Sequence, residues 1–570
     1  MIEFWIGRNK ISEYEVVIPD NSIPNEEYSA KELVKYIEKT VNISLNTVRE
    51  SESGGKHSIY IGRCLRTAKM VDFSELGEEG FVITVFDGSL FITGNDKRGT
   101  LYGVYTFLEK YVGWRFFTSD CEMILHEKDV FLEEGLYDKQ IPKLEWRDVC
   151  IPAYLPCDIA VKRKINSSYR RDFTEEMGGS FLYPGRFVHT MESLLDVPQQ
   201  QQPCFSDEKN LEKCIENVRK LLRGYPDARV ISVTQNDCEI GADCYCKCEK
   251  CSKIDEEEGS HAGSLLRFVN AVADAIKDEF PKVRIMTLAY LHTNKCPKIT
   301  VPRDNVIIEF APMTLCYNHS ADDQNCEVNR EILADFRAWG RIAKKIYIWD
   351  YCANFSFTVP HFPDFHVLRK NVSYYVNHNV YGMFCEGDNY YDDHMTDLVE
   401  LRAYLLSKLL WEPNMTEAEF EKHMDEFLLG YYGMGGKYVK EYLKLLEAAV
   451  GKERHVYCYQ NPTMLVDVDY MLKNDDKMME CWKKCEALAQ TDLEKAHVHR
   501  SMQGYIHLHL LYTFDERMKN ADEEGKKALI AENKAFYEAL QKYDIEPRGW
   551  QSKLPEMNDF TQNAGVKIYW

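Results

Sequence analysis

Five short apolar runs of this chain end in groups able to do chemistry. Gly185–Thr190 ends in His189 and Thr190. Ala228–Gln235 runs into Asn236 and Asp237. Val283–Tyr290 ends at Tyr290, with His292 just beyond. Lys345–Tyr351 carries Trp349, Asp350 and Tyr351. Val380–Glu386 ends in Glu386, with Asn389 shortly after. Two carboxylates, Asp237 and Glu386, are what cleavage of a glycosidic bond requires. One protonates the leaving oxygen, and the other stabilises positive charge at the anomeric carbon. Tyr290, Trp349 and Tyr351 offer rings on which the apolar face of a sugar stacks. Asn236, His189, His292, Asp350 and Asn389 could bind its hydroxyls. Each residue also has a plainer reading. Asp237 could cap a loop, Glu386 could be a solvated loop carboxylate, Trp349 and Tyr351 could be core, and the histidines could be structural. Joint placement favours a site.

A second constellation follows directly. Cys244, Cys246, Cys248 and Cys251 crowd into eight residues. Four thiolates could hold a structural zinc at about 2.3 Å each. The usual pattern has two separated pairs, and this one is tighter. Free thiols are the alternative.

These residues need a scaffold. Short β-branched runs alternate with amphipathic helices across 140–402, which predicts a (β/α)8 TIM-type barrel. The strand candidates are Leu144–Ile151, Ala160–Ser167, Gly185–Thr190, Ala228–Gln235, Val283–Tyr290, Asn305–Ala311, Lys345–Tyr351 and Val380–Glu386. A site in such a barrel sits at the C-terminal strand ends, and strands four and eight face each other across the mouth. Residues 1–135 read as a small α+β domain, with a hairpin at Asp87-Gly88 and a capping box from Ser29 to Glu32. Residues 403–570 read as a helical domain, with a second capping box from Thr416 to Glu419. The predicted fold class is α/β, a central barrel between these two domains.

The totals narrow the partners. A net charge of −21 argues against nucleic acid and suits a neutral substrate. No apolar stretch approaches a membrane span. There are 19 cysteines, irregularly spaced, and Met1 to Val17 lacks the form of a signal peptide. This predicts a reduced, cytoplasmic protein. An oligomer is compatible with the sequence. The chain has no Walker A loop, no GxGxxG after a strand, no HExxH and no nucleophile elbow, so no cofactor is called for by the chemistry.

Gln235-Asn236-Asp237 with the Cys-x-Cys-x-x-Cys stretch, Leu288-Ala289-Tyr290, Ile348-Trp349-Asp350-Tyr351 and Glu386-Gly387 together resemble the bacterial domain-of-unknown-function family 4838. Part of that family belongs to glycoside hydrolase family 163, endo-β-N-acetylglucosaminidases acting on complex N-glycans. Arg98-Gly99-Thr100-Leu101-Tyr102-Gly103 resembles the N-terminal domain of family-67 α-glucuronidases and family-20 hexosaminidases. The resemblance implies a retaining glycosidase of the N-acetylglucosaminidase type. Glu386 would be general acid/base, and Asp237 would stabilise the reactive centre or orient a substrate 2-acetamido group; the roles could be exchanged. The implied substrate is an oligosaccharide or small glycoside. The alternatives are a non-catalytic carbohydrate-binding protein on a glycosidase scaffold and a metalloprotein built on the cysteine cluster.

Overall fold

The computed structural model describes residues 2–54, 57–95, 97–238, 244–387, 398–543 and 545. The chain divides into two compact units. One comprises Met1–Glu145 with Tyr154–Phe181, the other Trp146–Ala153 with Leu182–Trp570.

The first unit is built on a six-stranded sheet. Its strands are β1 (Glu15–Ile18), β2 (Thr47–Arg49), β3 (Ser58–Ile61), β4 (Phe81–Phe86), β5 (Ser89–Gly94) and β6 (Tyr137–Gln140), in the order β6-β4-β5-β3-β1-β2. The expected hairpin joins β4 to β5, with Asp87 and Gly88 both at positive φ. Helix α1 (Pro24–Val41) begins before the predicted box. Ile23 is the N-cap and its N–H donates to the Glu26 carboxylate, while Ser29 lies inside the helix and bonds back to Asn25. Pro24 favours the earlier start because its fixed φ suits the first helical position. Helix α2 (Gly99–Phe107) is buried throughout.

Residues 160–167, expected as the second barrel strand, belong to this first unit. Part of the segment is a short helix, Cys157–Lys162, and Lys164 has φ 61°. The charged run explains the difference. Lys162 pairs with Glu122 at 3.0 Å, Arg163 with Glu109, and Asn166 donates to both oxygens of Glu79. Groups of this kind are buried only where partners await them.

In the second unit six parallel strands form one sheet. They are β7 (Trp146–Cys150), β8 (Val230–Ser232), β9 (Arg284–Ala289), β10 (Val306–Phe310), β11 (Lys345–Tyr351) and β12 (Val380–Glu386), ordered β7-β12-β11-β10-β9-β8. The last strand pairs with the first, as in a (β/α) barrel wound once around, while β7 and β8 stand at the two edges of the sheet. Helices α3 (Glu208–Arg223), α4 (Glu249–Glu258), α5 (Ala262–Ile276), α6 (Glu327–Ile342) and α7 (Phe365–Val376) lie between the strands. Helix α3 buries Cys214, Val218 and Leu222, four residues apart, on one face.

Residues 185–190, expected as the third strand, run beside β8 without joining it. Thr190 N–H donates to Thr234 O, Arg229 N–H to Leu182 O, and Ser232 Oγ to Phe187 O. A ladder is prevented at both ends, because Gly185 and His189 adopt φ 78° and 56°. The space inside is filled by rings. Trp146, Tyr347, Phe384, Phe187 and Trp349 pack at centroid distances from 4.5 to 6.3 Å. Gly382 makes this packing achievable, since a side-chain carbon there would meet the Tyr347 ring at 2.7 Å.

Helices α8 (Val399–Trp411), α9 (Glu417–Tyr432), α10 (Gly436–Val450), α11 (Val468–Leu488), α12 (Asp492–Asn520) and α13 (Glu523–Lys542) complete this unit. The capping box at Thr416 and Glu419 opens α9 as expected. Buried His361 ties the segment before α7 to this helical region, through Tyr442 Oη at 2.7 Å and Ser501 O at 2.9 Å. No helix of the described residues is long and apolar enough to cross a membrane.

Candidate functional site

Glu386 ends β12. Alternation along the strand puts it on the same face as Phe384, toward the ring-filled interior. It is 2% exposed. Trp349 Nε1 donates to its Oε2 at 2.8 Å. That donor is fixed in place, because the indole lies edge-on to Phe384 at 4.5 Å and stacks on Phe187 at 5.8 Å. A held donor orients the carboxyl before any substrate arrives.

Asp237 follows β8 on an irregular stretch. Its Oδ1 accepts from Tyr290 Oη at 3.2 Å and from the Cys238 N–H at 2.9 Å. His189 Nε2 stands 4.0 Å from the same oxygen, and His189 Nδ1 bonds to Gln235 O at 3.0 Å. The left-handed backbone of His189 aims the ring there; such strain persists only where the surroundings over-determine it. Burial lowers the His189 pKa against the pull of Asp237. The ring is therefore neutral near pH 7, with its Nδ1–H on the carbonyl. Tyr290 joins the two halves. Burial, then Asp237 and also Glu386, push its hydroxyl well above the usual phenol range. Tyr351 lies alongside, its hydroxyl raised by burial, by Tyr290 and by Glu386.

The structure thus brings together Asp237, Glu386, His189, Tyr290, Trp349 and Tyr351. Three expected binding residues are used otherwise. Asn236 is spent on backbone: its Oδ1 accepts from Met191 N, and its Nδ2 donates to Val197, Pro198 and Gln201 carbonyls. Asp350 alternates to the opposite face of β11 from Trp349 and Tyr351. It is buried beside Cys352 and Cys385, and burial together with Asp364 raises its carboxyl to about 7. His292 contacts Cys238 Sγ at 3.8 Å, and burial and then His261 lower it to about 4. Asn389 lies outside the described residues. Tyr459 was not anticipated. Its ring is 5.4 Å from Phe355, and its charge reaches Tyr351. It comes from a segment far along the chain with no motif around it.

Residues 134–444 match the family described as domain of unknown function DUF4838. The chain belongs to that family. Its residues 8–107 match the glycosyl hydrolase family 67 N-terminus. No curated protein matches the sequence. Solved structures of similar fold include a family GH115 4-O-methyl-α-glucuronidase with specificity for decorated arabinogalactans. It is 12% identical with a TM-score of 0.59, over 95% of this chain and 77% of that one. A family 89 glycoside hydrolase from Clostridium perfringens is 10% identical with a TM-score of 0.48, over 90% of this chain and 65% of that one. On the first of these likenesses this DUF4838 chain has a glycosidase-like fold, its parallel barrel sheet preceded in sequence by an α+β region and followed by helices.

The cysteine cluster is real but differently composed. Cys246, Cys248 and Cys251 are joined by Cys204, and the four Sγ atoms lie within 4.8 Å of one another. Cys244 is instead a neighbour of Cys238. Cys204 to Cys248 is 3.5 Å and Cys204 to Cys251 is 3.8 Å. Four sulfurs around zinc at about 2.3 Å would stand about 3.8 Å apart. Cys248 caps α4 and accepts the Cys251 N–H and Ser206 Oγ–H, which lowers its thiol to about 6. The sequence hid Cys204 because it lies more than forty positions upstream, brought near only by the fold.

Proposed function

We propose that this protein hydrolyses a glycoside of the N-acetylglucosamine or a related type, with retention, at the mouth of its barrel. The observation that carries this reading is the placement of Glu386 at the end of β12 and of Asp237 just after β8, four strands along the same sheet, with Tyr290 hydrogen-bonded to Asp237. Glu386 is the acid/base. Trp349 occupies Oε2, so the transferable proton sits on Oε1. In the first step that proton goes to the glycosidic oxygen as its bond to the anomeric carbon breaks. The carbonyl oxygen of a substrate 2-acetamido group forms the new bond, with Asp237 orienting its N–H and Tyr290 steadying Asp237. Water then attacks the same carbon, gives its proton to Glu386, and restores the acetamido group. The donors meeting the carboxylates, Tyr290 and Trp349, are neutral, which suits an uncharged sugar. The chemistry asks for no metal.

A zinc ion held by Cys204, Cys246, Cys248 and Cys251 has a bracing role in this reading. Gln202, two residues before Cys204, brackets the Asn236 backbone, donating to its carbonyl at 2.6 Å and accepting its N–H at 3.1 Å. Fixing Cys204 thus fixes the chain that carries Asp237. None of the 19 cysteines is paired in a disulfide, which favours the reducing cytoplasm.

The test is a panel of aryl glycosides and oligosaccharides read by product mass, for wild type, Glu386→Gln and Asp237→Asn. Turnover in the wild type that both substitutions abolish is expected. Turnover untouched by either removes the assignment, and sugar binding without turnover in the wild type would favour the carbohydrate-binding alternative.

A further inference from the structure

Cys316, His319, Cys326 and His455 bring one ligand atom each within 4.8 Å of the others. They come from three places: the loop after β10, the N-cap of α6, and the segment after α10. Cys316 Sγ is 3.2 Å from His319 Nδ1, and Cys326 Sγ is 3.9 Å from His455 Nδ1. Sulfur and nitrogen around a tetrahedral zinc, at about 2.3 and 2.0–2.1 Å, stand about 3.6 Å apart. The two measured distances fall on either side of that value.

Hydrogen bonds outside the cluster prepare it. His319 Nε2 meets Lys452 O at 2.7 Å. A carbonyl partner requires Nε2 to carry the hydrogen, so the Nδ1 lone pair faces the cluster. This is the outer support that metal-bound histidines use. Asn329 brackets the loop from α6, accepting the Cys316 N–H at 2.8 Å and donating to the carbonyls of Cys316 and His319. Asn318 donates to Gly451 and Arg454 carbonyls, and Tyr317 N–H to Val456 O. The cysteines are buried and the histidines partly exposed, which leaves an entry path.

We infer that Cys316, His319, Cys326 and His455 form a second, Cys2His2 zinc site, separate from the four-cysteine cluster. On binding, each thiol releases its proton to solvent and the two imidazoles bind neutral. The consequence lies at the barrel mouth. The segment holding His455 continues to Cys458, whose carbonyl accepts Phe355 N–H at 2.7 Å, and to Tyr459 beside Tyr351. A zinc there fastens the helical region's one contribution, among the described residues, to the ring wall of the site.

The test is elemental analysis with zinc K-edge absorption on the purified full chain. The wild type should hold two zinc ions with a mean shell of three sulfurs and one nitrogen. A Cys204→Ser/Cys248→Ser variant should keep one zinc bound by two sulfurs and two nitrogens, and a Cys326→Ser/His455→Ala variant should lose that signature. Zinc in the wild type with an all-sulfur shell overturns the inference, as does a Cys316–Cys326 disulfide in peptides mapped without reduction. The wild-type shell decides the matter should either variant fail to fold.

Discussion

The two halves of the barrel are built differently. From β9 through β12 to β7 the sheet is continuous and its strands are five to seven residues long. Between β7 and β8 there is irregular chain, and β8 itself has three residues. Glu386 belongs to the regular half, 2% exposed and held at 2.8 Å by an indole that rings immobilise. Asp237 belongs to the irregular half, with a side chain 32% exposed and a 3.2 Å bond to Tyr290. The contrast teaches a division of labour. On the proposed reading, the proton-transferring group is placed by strand geometry, while the group that would adapt to substrate is placed by loops, and those loops are tied by side-chain amides, a strained histidine and thiols.

Four results would break or sharpen this contrast. The largest effect is expected at Glu386. Glu386→Gln should lower kcat/KM about 10³-fold or more, roughly 4 kcal/mol of barrel-mouth chemistry lost, without altering the melting temperature. Asp237→Asn should cost less, on the order of 10²-fold. Equal losses would deny the division. Next comes the brace. Cys204→Ser should remove one zinc and lower kcat about ten-fold with little change in far-UV circular dichroism; unchanged kcat on zinc loss would detach the cluster from Asp237. Trp349→Phe should also cost about ten-fold, since a charge-assisted hydrogen bond is worth about 1.5–3 kcal/mol in folded proteins. Its distinguishing mark is a shifted pH–rate profile for the Glu386 limb, which a packing defect alone would not produce.

A separate result tests the regular half for its own internal cost. Glu309 on β10 is fully buried and shares the inner face with Tyr347, its register partner. Burial raises its carboxyl to about 8. The unfolded chain releases this proton near the ordinary value and the folded protein retains it, so stability falls as pH rises between the two. The slope from this group is about 1.4 kcal/mol per pH unit at most. Denaturation of Glu309→Gln between pH 5 and 8 should lack that slope. An unchanged slope would place the charge elsewhere.

Much of this was legible beforehand, and the misses share a cause. β11 and β12 match their predicted ranges residue for residue, because a buried parallel strand writes itself as an unbroken apolar run. The expected strands at 160–167 and 185–190 failed where charged partners or left-handed residues lay outside any local pattern. Asn236 and Asp350 looked like site residues because they adjoin Asp237 and Trp349. In the strand, adjacency puts Asp350 on the opposite face from Trp349, and after β8 the backbone groups that take up Asn236 come from a distant segment.

The amino-acid order by itself determined the barrel class, the strand end that bears Glu386, and the polar run at Asp237 with the thiol-rich stretch after it, since each is a pattern over neighbouring residues. The tertiary structure alone decided that Cys204 replaces Cys244, that Tyr290 bonds to Asp237, and that Cys316 and His319 meet His455. Those pairings join residues from about forty to more than a hundred positions apart. Nothing local encodes them, because the closing of the chain that makes them is driven by the burial of the whole core.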